Sequence, residues 1–202
     1  MIPTIDDCIS WINEDRTLVV PYGVTKIPEK AFVDTDAITK VIIPGTVQTI
    51  GKYAFARCTN IESVTIGHGV KEIYDGAFFH CKNMQHIHLP NSIEEIRDIT
   101  FCECYELPSL NLPNFLDDIA KCLCQHCDSL KSIIIPINVR KIREEAFNSC
   151  FSLQNVVLPT SVKNIGQNAF SNCQNLKKIK IPPYTKFFPN SFGNKTIIEP
   201  QK

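Results

Sequence analysis

Proline returns every 23 residues along this chain. Pro21, Pro44, Pro90, Pro113, Pro136, Pro159 and Pro182 share one frame, and Gly67 fills the single gap. Phe32, Phe55, Phe78, Phe101, Phe147 and Phe170 keep the same period, with Cys124 standing in once. Cys58, Cys81, Cys104, Cys127, Cys150 and Cys173 keep it too, as does an isoleucine column from Ile27 to Ile165. Four residue types held in register over seven or eight units form an internal repeat. A unit of this size has too little interior to bury its own apolar side. Stacked units can bury it, so the expected architecture is a solenoid stabilised by contacts between neighbouring coils.

Each repeated position has a physical task. In LQNVVLP, Val156 and Leu158 point one way while Asn155 and Val157 point the other, the period-two pattern of a short strand. Pro159 ends that strand because it has no N–H for the next ladder bond. A V-x2-I step carries the chain along a second, shorter wall. Ala-Phe makes the return turn, with Phe filling the widest part of the core. The Cys is read as a compact apolar group at the tight inner corner. Parallel strands of successive coils should lie about 4.8 Å apart, giving a rod or shallow arc of roughly 40 Å. The ends depart from the pattern. Residues 1–16 are read as an N-terminal cap with a short helix over 4–14 anchored by Trp11, since Ile5, Cys8, Ile9 and Ile12 have helical spacing. The repeats run over 12–181. Residues 182–202 are a partial repeat in which Phe187, Phe188 and Phe192 close the core and the last residues fray.

The unit C-x2-[ILM]-x2-[VIL]-x-[IL]-P-x2-[VIL]-x2-I-x3-A-F, clearest at 58–80 and 150–172, resembles the BspA-like leucine-rich repeat family. The resemblance spans residues 12–192. It implies a β-rich, right-handed leucine-rich repeat superhelix of the α/β horseshoe-like class. A parallel sheet forms one side, and short strands or turns form the other. It also implies non-enzymatic binding, of the adhesion or protein-recognition kind.

In such a fold the outward residues of the parallel sheet are the expected binding face, because nothing in the core demands their identity. Two columns supply it: Lys40, His86, Asn155 and Lys178 in the first, and Ile42, Thr65, His88, Asn111, Ile134, Val157 and Lys180 in the second. Ile134 and Val157 are adjacent apolar positions suited to a partner contact. His86 and His88 share the face, but neighbouring rows offer Ser63, Thr65, Ser109 and Asn111 rather than a third metal ligand, so they are read as surface histidines. His68, His80 and His126 fall in turns.

Cys102, Cys104, Cys122, Cys124 and Cys127, with His126, have the residue types of a zinc site. The frame points these side chains apart, and four ligands must converge, so no metal is expected. A Cys104–Cys127 disulfide is possible by coil spacing, although side chains stacked in parallel seldom meet the required geometry. Cys124 and Leu123 in place of Phe and Ala predict a repacked, softer core in repeats five and six.

No nucleotide-binding, nucleophile-elbow or zincin motif occurs. The acid pairs Glu94-Glu95, Asp117-Asp118 and Glu144-Glu145 are read as exposed and without a pocket, so the chain is expected not to be an enzyme and to need no cofactor. Of its 202 residues, 21 are Lys or Arg and 21 are Asp or Glu, which argues against nucleic acid as a partner. The charge is divided, however: residues 1–101 hold 9 basic and 13 acidic side chains, and 102–202 hold 12 and 8. The expected partner is therefore a protein or peptide, and the alternative is a self-associating rod joined head to tail through its acidic and basic halves. The chain is expected to be a monomer or to associate weakly. No apolar run approaches the about 20 residues of a membrane helix. The first residues carry no basic or apolar leader. A cytoplasmic location is therefore expected, with a surface location by an unconventional route left open.

Overall fold

A computed structural model describes residues 8–201. The chain winds through eight coils, each with a two-residue strand on a second wall and all but the fifth with a strand on a first wall, which one further strand extends after the eighth coil. The first wall holds β1 (Thr17–Val19), β3 (Lys40–Ile43), β5 (Ser63–Ile66), β7 (His86–His88), β10 (Ser132–Ile134), β12 (Asn155–Val157), β14 (Lys178–Ile181) and β16 (Ile197–Pro200). The second holds β2 (Lys26–Ile27), β4 (Thr49–Ile50), β6 (Glu72–Ile73), β8 (Glu95–Ile96), β9 (Asp118–Ile119), β11 (Lys141–Ile142), β13 (Asn164–Ile165) and β15 (Lys186–Phe187). All the pairing between these strands is parallel, and it joins frame-mates: Lys40 pairs with Ser63, and Thr49 with Glu72. Part of the helix expected over 4–14 lies outside the described residues. Within them the helix does not reach residue 14: only Cys8 and Ile9 are helical, Trp11 and Ile12 close tight turns onto them, and Ile12 bridges Leu18 instead of continuing the helix, while the Trp11 ring lies 6.2 Å from Phe32, over the first coil.

The core is a set of columns. Phe32, Phe55, Phe78 and Phe101 stack with ring centroids 5.0, 5.2 and 5.9 Å apart, and Phe147, Phe170 and Phe192 continue at 5.3 and 5.8 Å. Offset aromatic pairs add about 0.5–1.5 kcal/mol each beyond their burial. The last coil is one residue short, since Ile165 pairs with Phe187, and this shift places Phe192 in the aromatic slot. Phe192 closes the core; Phe187 and Phe188, expected to help, remain half exposed. Residues 197–200 do not fray but form β16 against β14.

The return turn contains a device that the repeat does not announce. Two positions per coil adopt the left-handed conformation, two residues before and two after the aromatic slot. Lys30, Tyr53, Ile99, Cys122, Glu145 and Asn168 occupy the first, with Gly76 as their one glycine; Asp34, Arg57, His80, Glu103, His126, Ser149 and Asn172 occupy the second. The alternation aims every other N–H at the next coil. Lys30, Phe32 and Asp34 donate to the carbonyls of Lys52, Ala54 and Ala56 at 2.9, 2.8 and 2.9 Å. Where both walls pair, a coil is thereby joined to the next along three lines, two walls and the turn; between coils seven and eight the first-wall strands β12 and β14 are not paired.

Coil five breaks this plan. The first wall is hydrogen-bonded as β1-β3-β5-β7, β10-β12 and β14-β16, and the second as β2-β4-β6-β8 and β9-β11-β13-β15. Both walls are therefore interrupted between coils four and five. Pro108 sits where Glu62 and Gln85 donate to the preceding coil at 2.8 Å, and it has no N–H to give. Residues 109–117 donate no backbone–backbone bond to a neighbouring coil; Asn114 N–H reaches the Asn91 side chain instead, at 3.2 Å. The turn line runs on unbroken, with Ile99, Phe101 and Glu103 donating to Lys121, Leu123 and Gln125 at 2.9, 2.9 and 2.7 Å. Softening was expected from a repacked core at Cys124. Cys124 and Leu123 are in fact fully buried, and the weak place is a backbone seam one coil boundary earlier.

Candidate functional site

The first wall offers the expected face. Lys40, His86, His88, Asn111, Ile134, Asn155, Val157, Lys178 and Lys180 are exposed, as is Thr65, while Ile42 is half-buried. Their strand neighbours Val41, Val64, Ile133 and Ile179 are buried, so alternation sorts the two sets as the pattern requires. Ile134 and Val157 are 68% and 54% exposed and pair directly across β10 and β12. His86 and His88, with Ser63, Thr65, Ser109 and Asn111, line a hollow of 280 Å³. A second hollow of 360 Å³ runs from His88 past Leu110 and Asn111 to Ile134 and Pro136. The face is not the continuous sheet expected from the repeat. At Ser109–Leu112 no strand forms, and both hollows lie along that interruption.

The second wall carries a cleft of 560 Å³ over the same seam. Glu94, Glu95, Asp117 and Asp118 line it together with Glu72, Asp75 and Asp98, over an apolar floor of Ile96, Leu116 and Ala120. Two of the acid pairs, read from sequence as lacking a pocket, thus share one. Several are held by cations on the same rod. Arg143 donates to Asp118 at 2.9 Å, Lys71 to Glu94 at 2.5 Å, and Arg97 to Glu95 at 3.1 Å while its guanidinium covers the Tyr74 ring. The Asp118 carboxylate beside it raises the Arg143 pKa. Glu72 likewise raises that of the Tyr74 phenol. Among the described residues, no group of three or more His, Cys, Asp or Glu side chains is placed to hold a metal ion.

The cysteines have a further structural task. Each frame Cys donates its S–H to a backbone carbonyl 26 residues back: Cys58 to Phe32, Cys81 to Phe55, Cys104 to Phe78, Cys127 to Phe101, Cys150 to Cys124 and Cys173 to Phe147, at 2.9–3.3 Å. That carbonyl belongs to the aromatic slot of the coil below, so the thiol ties corner to turn. All ten cysteines are buried, and the nine from Cys58 to Cys173 form no disulfide. Burial pushes Cys58 up to about 12 and Cys122 up to about 11, and it drives Cys81, Cys104, Cys124 and Cys150 well above the usual range. A thiol that stays protonated is a donor, not a nucleophile or a metal ligand. Cys102 and Cys122, which lie outside the frame, reach Gln125 and Glu145 of the next coil at 3.7 and 3.6 Å. His80, read from sequence as an isolated turn residue, instead meets Glu103 at 2.6 Å, and Tyr105 donates to the same carboxylate at 3.2 Å. Both partners come from the coil above, which places them beyond the reach of a local reading.

Among the described residues, no helix is long and apolar enough to cross a membrane. No curated protein matches the chain. Among solved structures, the Treponema pallidum leucine-rich repeat protein is 25% identical, with a TM-score of 0.59 over 91% of this chain and 73% of that one. A leucine-rich cell surface protein of Faecalibacterium prausnitzii is 19% identical, with a TM-score of 0.54 over 90% of this chain and 83% of that one. The family model described as BspA type leucine-rich repeat region matches residues 25–150 and 117–199, in 6 copies. A 23-residue frame, parallel walls and that match together make the chain a member of the BspA-type leucine-rich repeat family.

Proposed function

We propose that this protein is a non-enzymatic recognition module that binds a protein or peptide, in an adhesion-type role, through the outward face of its first wall. The observation that carries the reading is the exposure of Ile134 and Val157 side by side on strands whose inward residues already fill the core. Apolar side chains that folding does not need are available to a partner. Lys178 and Lys180 extend the face with positive charge, and the hollow beside His86 and His88 offers polar contacts in the middle. Strand faces of solenoids recognise extended surfaces because successive coils present one residue each at a fixed spacing.

The test compares partner capture from the source cell by the native chain, by V157D/K178E/K180E, and by a second-wall control, K163E. Loss of the same captured species in the triple variant, with retention in the control, supports the first wall. Unchanged capture by the triple variant refutes this choice of face.

A further inference from the structure

The second wall is divided more sharply than the chain as a whole. In coils three to five it carries the seven carboxylates of the cleft against Lys71, Arg97 and Lys121. In coils six to eight it carries Arg140, Lys141, Arg143, Lys163 and Lys186 against Glu144. Glu72 and Asp117 have no ion-pair partner among the described residues, and neither have Arg140, Lys141, Lys163 and Lys186. We propose that the second wall docks onto a second copy of this chain as an antiparallel two-fold dimer, each acidic stretch lying against the other's basic stretch.

Symmetry makes the idea specific. When two copies meet through the same face, the two-fold axis lies in the plane of contact. An axis along the rod would set each residue against its own coil, acid on acid. An axis along the strands, crossing the wall between coils five and six, reverses the rod and keeps each column opposite itself. Coil three then faces coil eight, four faces seven, and five faces six. Glu72 meets Lys186, Glu94 meets Lys163, Asp117 meets Arg140, Asp118 meets Lys141, and Lys121 meets Glu144, each pair occurring twice. Every facing pair of charges in these columns is opposite in sign. Tyr74 meets Phe188, one of the aromatic rings left half exposed at the end of the rod. The cations of one copy thereby enter the other's acidic cleft, where like charges otherwise repel one another. The geometry also separates this arrangement from the head-to-tail joining considered from the sequence, which would grow into filaments rather than close. Because the contact is a narrow charged strip, the association is weak and screened by salt. It leaves the first wall free, so it stands or falls independently of the recognition role.

The experiment is sedimentation velocity on the full chain, at a concentration of about 100 µM. The expected result is a dimer at low salt whose dissociation constant rises about tenfold or more in 0.5 M salt. D117K/D118K and R140E/K141E should each be monomeric, because each sets like charges across the axis. Mixed together, the two variants should form a one-to-one heterodimer, since lysines then face glutamates at one contact and the native pair is kept at the other. A native chain that stays monomeric at low salt overturns the proposal. So does a dimer that survives both reversals, or a mixture of folded variants that fails to pair.

Discussion

At the residue scale, the frame specified what to bury but not how the turn is made. The Phe, Ile and Cys columns are legible because burial selects residue type, and every member of those three columns is buried as expected. The left-handed positions are illegible because Lys, Tyr, Ile, Cys, Glu and Asn all occupy one of them, and glycine appears there once. Ile99 is the costliest occupant, a β-branched residue at φ 53°. Ile99→Asn, which places there the residue that coil seven uses, is expected to stabilise the protein by about 1 kcal/mol, read as a higher urea midpoint. A lower midpoint would mean that the isoleucine's packing outweighs its strain. Cys81→Ala removes the bond to Phe55 O and leaves a small void; a loss of about 1–2 kcal/mol is expected. The raised thiol pKa values also fix a pH dependence. A group whose folded pKa lies above its unfolded value contributes stability below the unfolded pKa and loses it as pH rises through the folded one. Cys58 and Cys122 move from 9.0 to about 12 and about 11, so the urea midpoint should fall above pH 9. The fall should be smaller in Cys58→Ala than in the native chain.

At the scale of elements, strands appeared where alternation predicted them in every coil but one. Coil five keeps its alternation, since Leu110 and Leu112 are buried and Asn111 is exposed, yet it forms no first-wall strand. Hydrophobic pattern decides which side chains face the core; hydrogen bonding between coils needs donors as well, and Pro108 removes one at the entry. That proline stands outside the repeated proline frame, and it was the available sequence signal. The opening on the second wall has no such marker. The site followed the same division. The exposed columns of the first wall were readable from period two, whereas the shared acidic cleft depends on a gap between coils that no single coil records. Amide hydrogen exchange should be faster at 110–112 and 115–117 than at the equivalent positions of coil three. Pro108→Gln, the residue of coil four, should slow exchange at 108–112 if the missing donor opens the first wall. An unchanged pattern would place the cause elsewhere.

At the scale of the whole molecule, contacts run from coil to coil, and in such an array stability is close to a sum of coil and interface terms. Removing residues 104–126 in frame takes out the irregular coil, joins Glu103 to Cys127 and lets Phe101 meet Phe147. The shortened chain is expected to fold and to unfold in one transition, measured by far-ultraviolet circular dichroism in urea; an unfolded product would show that coil five supplies something its neighbours need. The thiol column reaches along most of the same length. An S–H group absorbs in an infrared window almost free of other protein bands, and its frequency drops when it donates a hydrogen bond. Six frame cysteines, each donating to the coil below, therefore give the rod a built-in vibrational gauge. When a coil lifts from its neighbour, one thiol is released and one band shifts, so the separation of coils can be followed without attaching a label.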